Sequence, residues 1–220
     1  TLTTSFMATV VKTAGFAAFF RLFHTCFANA PAIWQNILWM MIALTITVGN
    51  LSALRQSNVK RMLSYSSISN AGCILIALLA MDATTLSAIF YYVAVYAIGT
   101  VGAFSVLLLI ENQTGTHDIS AFRGLAKKHP LTAFTLTLSL ISLAGIPPLA
   151  GFFAKYYVFA TAISGGWFWI VFIAIINSLI GIYYYFKVII TMYAEENEEA
   201  LILVFAPSSI IVMAICSVLL

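Results

Sequence analysis

"GIPPLAGFFAKYY" (145–157) lies within an unbroken apolar run. It carries two adjacent prolines and then Lys155, eight positions past the first of them. Two prolines remove two backbone donors and clash with the turn before them, so a helix reaching this stretch breaks around Gly145, Pro147 and Pro148. The apolar run, 131–163, is too long for one straight helix across a hydrocarbon core of about 30 Å, which takes roughly 20 residues. Broken backbone at membrane depth is tolerated only where protein or a water-filled cavity lies beside it. A plain hydrophobic anchor has no use for such an arrangement. The stretch therefore points to an all-α, polytopic membrane bundle with one discontinuous helix.

The rest of the chain agrees. Of its 220 residues 62% are hydrophobic and only 8% charged, and the mean hydropathy is +1.03. That is too little charge to cover a soluble domain of this size. A formal net charge of +3, dispersed along the chain, gives no nucleic-acid footprint. Cys26, Cys73 and Cys216 have no CxxC spacing and no His at metal-ligand spacing, and the latter two read as small buried hydrophobes. About seven membrane segments are expected from roughly 20-residue apolar runs: 3–24, 34–54, 62–81, 85–110, 131–163, 167–192 and 200–220. Without period-2 alternation, strands are excluded. The chain begins inside what already reads as a helix, which suggests a piece of something longer.

The loops assign the sides. Arg55, Lys60 and Arg61 fall between the second and third segments, and Arg123, Lys127 and Lys128 between the fourth and fifth. Both loops lie on one face, which also receives "AEENEEA" (194–200). By the positive-inside rule that face is cytoplasmic and the C-terminus lies outside. Trp34, Trp39, Trp167 and Trp169 cluster at the opposite ends, as an interfacial belt would. His24, His117 and His129 read as solvated loop residues.

Four cations fall within the apolar segments. Arg21 and Lys187 lie near segment ends, where a long stem can snorkel to the headgroups, although Lys187 equally suits an interior role. Lys12 and Lys155 are deeper. A cation at a helix centre costs about 2.5–3.5 kcal/mol to insert, and such residues mark ion pathways or proton relays. A dry environment disfavours an ammonium, so a buried amine can both accept and release a proton near neutrality. Lys155 is expected roughly 12 Å along the axis from the break, with carbonyls freed there available to orient water. No buried carboxylate pairs with either lysine: Glu111 falls at a segment end and Asp82 in a loop. Either the partner lies in other sequence, or the amines are neutral for part of a cycle.

Polar residues outline a path. "SYSSISNAG" (64–72) places Ser67 and Asn70 at the start of the third segment. Tyr92, Tyr96 and Thr100 fall at i, i+4 and i+8 on one helix face. Ordinary interhelical hydrogen bonding explains these residues equally well.

"SALRQSNVKRMLSYSSISNAG" (52–72), "RGLAKKHPLTA" (123–133), "SLAGIPPLAGFFAKYYVF" (142–159) and "YYYFKVI" (183–189) resemble, in order and spacing, the antiporter-like subunits of the proton-pumping NADH:quinone oxidoreductase, respiratory complex I. The last stretch leans toward the subunit N family, and all are related to Mrp antiporter subunits. The resemblance covers essentially the whole chain. It implies two inverted five-helix repeats, of which 1–24 is the last helix of the first, 34–192 is the second, and 200–220 is a C-terminal transmembrane helix. On this resemblance Lys12 is the connecting lysine of the eighth helix, and Lys155 the terminal lysine of the broken twelfth. The family's glutamate on the fifth helix and lysine on the seventh have no counterpart in the chain, and Asn70 stands where relatives often have His.

The implied function is proton translocation in a bacterial plasma membrane, coupled to electron transfer elsewhere, with Lys12, Lys155, Lys187, Tyr92, Tyr96, Ser67 and Asn70 on the path. The implied partners are neighbouring antiporter-like subunits, a lateral helix and the lipid bilayer. NADH, FMN, iron–sulfur clusters and quinone are expected in other subunits, and no cofactor in this chain. An Mrp-type cation/proton antiporter subunit, or a structural membrane spacer, is the alternative.

Overall fold

The computed structural model describes residues 1–27, 31–194 and 207–220. The acidic stretch 195–200 and the first residues of the expected last segment lie outside the described residues. The described chain is helical, with a single antiparallel bridge, Asn58 to Asp118, and no strand. We label its main helices α1 (Leu2–Cys26), α2 (Pro31–Leu54), α3 (Val59–Leu79), α4 (Thr85–Thr114), α5 (Pro130–Ala144), α6 (Ala150–Ser164), α7 (Phe168–Tyr193) and α8 (Pro207–Leu219). A 3-10 turn (Ile119–Phe122) and a one-turn helix (Leu125–Lys128) lie between α4 and α5. Among the described residues α1–α4 and α7 are each long and apolar enough to cross a membrane.

The break falls where the prolines require it. Helix α5 opens on Pro130 and stops at Ala144. Gly145 then adopts φ +80°, and its amide turns back onto the Ile141 and Ser142 carbonyls. This left-handed C-cap suits glycine, which has no Cβ to clash. The Pro147–Pro148 bond is cis, and α6 starts two residues later. At 15 residues each, α5 and α6 measure roughly 22 Å and fall short of a membrane alone.

Two expected boundaries shift for local reasons. Helix α3 starts at Val59, because the Asn58 side chain accepts the Arg61 amide at 3.1 Å as an N-cap. Lys60 and Arg61, expected in a loop, are thus in the first turn. Helix α4 runs a turn further than expected, to Thr114, so Glu111 is helical. Trp34 is also corrected. Its ring is 8% exposed, packed edge-on against Phe23 at 4.6 Å with its indole N–H on the Phe27 carbonyl. Trp39, Trp167 and Trp169 do gather around one shallow cavity.

Helices α3 and α4 form the centre: 67% of the apolar window of each is buried, against 17% for α1. Cys73 and Cys216 are buried, as their apolar surroundings suggested. The two halves of the broken helix meet closely at Gly151, where a Cβ would lie 1.8 Å from the Ser142 carbonyl oxygen. Gly151→Ala is therefore expected to destabilise the protein by about 1–3 kcal/mol, the usual range for forced overpacking. Gly15→Ala, which meets nothing within 4 Å, is expected to be nearly neutral. Thermal denaturation of the two purified variants checks the contrast.

Candidate functional site

The site grows from the inner faces of α3 and α4. On α3, Ser66, Ser67, Asn70 and Cys73 are all buried, which helical spacing brings to one side. On α4, Tyr92, Tyr96 and Thr100 are 3%, 5% and 3% exposed, so the i, i+4, i+8 face points into the bundle. The two rows join where the Tyr92 hydroxyl donates to Asn70 Oδ1 at 2.9 Å, while Asn70 Nδ2 donates to the Ser66 carbonyl at 3.0 Å. Asn70 thus fills both its donor and its acceptor roles inside the protein.

Lys12 reaches this row from α1. Its amine donates to both the backbone carbonyl and the hydroxyl of Ser67, and it stands 5.3 Å from the centre of the Tyr96 ring. Hydrogen bonds and a ring face replace part of the water shell that an ammonium loses. Directly before Lys12, Met7–Val11 winds as a π segment. Such bulges insert a residue into the helical ladder and recur at functional positions. On its other flank Lys12 borders an open groove of ≈ 230 Å³ with Gly15, Phe16, Phe19 and Leu75. The residue is partly buried rather than enclosed.

Lys155 differs from expectation in an informative way. Its side chain folds back along α6 to the break, where the amine donates to the Ala144 carbonyl at 2.7 Å, with Ser178 Oγ on α7 at 3.4 Å. The reason is geometric: side chains on a helix lean toward its N-terminus, and the lysine stem is long. Ala144 ends α5, so the ammonium sits on the negative pole of that helix. A cation so placed gains up to about 2 kcal/mol when partly buried. Gly145 leaves the necessary space, since a Cβ there would lie 2.6 Å from the Lys155 side chain. No ion pair involves Lys12 or Lys155 among the described residues; the counter-charge at Lys155 is a helix end.

A cavity of ≈ 10 Å³ lies between these two parts, walled by Asn70, Tyr92 and Tyr96 on one side and by Ser142, Gly151 and Ala154 on the other. That is about the room of a single water. The hydroxyls of Thr100 and Tyr185 are buried nearby, Thr100 beside Tyr96, and Tyr185 beside Ser66 and Tyr184.

The other expected residues separate. Lys187 is exposed on α7, away from the row. His117, expected to be solvated, is instead largely enclosed, its Nε2 3.1 Å from Glu111 Oε1. At the opposite end Asp82 accepts from the amide and hydroxyl of Thr84 and from the hydroxyl of Thr85. Slight burial works against its charge, but these donors outweigh it and hold the carboxyl below its usual range.

Sequence reading also missed a second polar group. Tyr184 donates to Asn50 at 3.0 Å, and Asn50 and Asn177 approach at 3.5 Å between α2 and α7. A lone Asn in each of the apolar runs "TVGNLSA" and "AIINSLIG" was the available signal.

Comparison with known proteins follows this geometry. The family described as NADH:quinone oxidoreductase/Mrp antiporter, transmembrane, matches residues 1–181. The NADH-quinone oxidoreductase subunit N of Trichlorobacter lovleyi is 43% identical over 199 residues, covering 89% of this chain and 40% of that protein. The chain thus spans about two fifths of the length of such curated relatives. A chain of the archaeal membrane-bound sulfane sulfur reductase, a respiratory membrane complex, superposes with a TM-score of 0.85 at 31% identity, covering 99% of this chain and 44% of its own. A chain of respiratory complex I from Thermus thermophilus gives 0.74 at 34%, covering 84% and 42%. One from the Mrp complex of a Dietzia species gives 0.77 at 25%, covering 82% and 34%.

Asn70→Leu is expected to destabilise by about 1–3 kcal/mol, because it orphans the buried Tyr92 hydroxyl. Combining it with Tyr92→Phe should recover part of that loss. A double-mutant cycle on thermal stability checks the coupling.

Proposed function

Since this chain belongs to the NADH:quinone oxidoreductase/Mrp antiporter family of transmembrane proteins, we propose that it forms the C-terminal half of a proton-translocating membrane subunit of an NADH:quinone oxidoreductase. In this reading 1–24 closes a first repeat, 34–192 is a second five-helix repeat, and 200–220 is a further membrane helix. Neighbouring antiporter-like subunits and a lateral helix flank it in a hetero-oligomer within a bacterial plasma membrane. The basic loops face the cytoplasm and the C-terminus faces out. NADH, FMN, iron–sulfur clusters and quinone belong to other subunits.

The observation that carries the reading is the Lys155 amine on the Ala144 carbonyl, at a break whose two flanking half-helices share a water-sized cavity with Asn70 and Tyr92. Lys12 and Lys155 are successive proton stations. A proton on Lys12 passes by way of the Ser67 and Tyr96 hydroxyls to the Asn70–Tyr92 pair and a bridging water, and arrives at Lys155. There two effects oppose each other: dry surroundings disfavour the ammonium, and the α5 pole favours it. An amine balanced this way changes charge when a neighbouring charge arrives.

The push available is limited. Two unit charges about 10 Å apart repel by roughly 1.7 kcal/mol at an effective dielectric near 20. Moving one charge through 100 mV takes about 2.3 kcal/mol. A single pairwise repulsion therefore falls short, and a chain of coupled charges with changing hydration makes up the difference.

A second reading, an Mrp-type cation/proton antiporter subunit, draws on the likeness to the Mrp chain. It implies cation-dependent exchange without NADH, and its weaker support is the 25% identity there against 43% to a subunit N.

In the full-length subunit within its assembled complex, Lys155→Met is expected to lower proton pumping per NADH oxidised, with the complex still assembled. Unchanged pumping would remove Lys155 from the path. Impaired assembly with intact pumping per assembled complex would favour a spacer role.

A further inference from the structure

A cluster of ionisable side chains stands at the basic-loop end of the bundle, apart from the site above. Glu111, near the end of α4, has His117 Nε2 at 3.1 Å and Lys60 Nζ of α3 at 3.8 Å from its Oε1, and the Thr1 hydroxyl of α1 donates to Oε2. The charged side chains around this carboxylate are thus Lys60 and His117. The side chains are 30% (Glu111), 28% (Lys60) and 16% (His117) exposed, so the group sits at a mouth, half in water.

Backbone contacts hold it there. The His117 carbonyl accepts the Val59 amide at 2.8 Å, and Ile119 donates to Ser57 at 3.0 Å. The loop that carries His117 is thereby pinned to the start of α3.

Two helices point from this cluster to Lys12. On α4, Glu111, Leu107, Thr100, Tyr96 and Tyr92 share one face at spacings of four and seven. On α3, Lys60, Ser64 and Ser67 fall at i, i+4 and i+7, also one face. On α1, Lys12 is the end point of both lines. The axial distance from Lys60 to Ser67 is roughly 10 Å. Between them lie the Ser64 hydroxyl, held on the Lys60 carbonyl at 2.9 Å, and a dry layer of Leu63, Ala103 and Leu107, at most 3% exposed. Beyond that layer is the buried hydroxyl of Thr100, beside that of Tyr96.

We propose that the Glu111–His117–Lys60 cluster is the proton-collecting station that supplies Lys12 from the basic-loop side. A proton leaves water for His117 Nε2 or Glu111 Oε1, which share it across their hydrogen bond. The Glu111 carboxylate, 3.1 Å away, offsets any positive charge on the ring. Lys60 keeps the cluster from becoming a net anionic trap. The proton then crosses the dry layer when water briefly enters between Ser64 and Thr100, and binds the neutral amine of Lys12. No other reactant is consumed. A plain loop clamp explains the ion pair too, but not the alignment of Glu111 and Lys60 with the Lys12 site along one face of each of α4 and α3.

This inference rests on the reading of Lys12 as a proton station, so its test carries Lys12→Met in parallel. Proton uptake is measured in sealed vesicles holding the full-length subunit in its assembled complex, across a range of pH on the basic-loop side. Glu111→Gln preserves the shape and is expected to slow uptake near neutrality by roughly a hundredfold, the low end of what a positioned acid–base group supplies. The loss should shrink as that side is acidified, and Glu111→Asp should restore much of the rate. Loss for Lys12→Met with none for Glu111→Gln would overturn the intake and leave the Lys12 reading standing. No loss for either would overturn both. A loss for Glu111→Gln that is equal at every pH, unrescued by Asp, would reduce the cluster to a clamp.

Discussion

A lysine amine resting on the last carbonyl of a broken helix is the contact on which the rest of this structure turns. Without it, the end of α5 would leave an unmatched acceptor and a negative pole inside a bundle too apolar to solvate either. Without the break, Lys155 would keep only the longer contact to Ser178 Oγ at 3.4 Å. Each feature is costly in a membrane segment, and together they satisfy one another. The two flanking glycines follow from the same contact: Gly145 clears the space the lysine stem occupies, and Gly151 lets the second half-helix close against the Ser142 carbonyl.

The remainder of the site extends from that point by short polar steps set in apolar walls. Asn70 and Tyr92 bind each other, Ser67 holds Lys12, and a single-water cavity separates these groups from the break. Hydroxyls and amides stabilise a cation weakly and reorient without leaving the protein. The same arrangement of helices recurs in chains from a sulfane sulfur reductase, a respiratory complex I and an Mrp complex.

The two ends of α4 extend this picture. Tyr92, Tyr96 and Thr100 occupy the middle of one face, Thr85 with Asp82 one end, and Glu111 with His117 the other. The hydroxyls thus sit in the middle of α4, with Asp82 just before its start and Glu111 near its end.

Local chemistry made much of this legible in the amino-acid order alone. Adjacent prolines break a helix wherever they occur, so the interruption at Gly145–Pro148 could be read directly. The cost of inserting a cation singled out Lys12 and Lys155, and 3.6-residue periodicity aligned Tyr92 with Tyr96. What stayed hidden depends on which helices meet. Lys187 sits in as apolar a run as Lys12, yet faces outward, because the neighbours of α7 decide its buried side. The Lys155 amine selects Ala144, the Glu111 carboxylate selects His117, and Tyr184 finds Asn50 from 134 positions away. Those pairings arise only when the helices pack, since a side chain's partner is set by distance in space and not by separation along the chain.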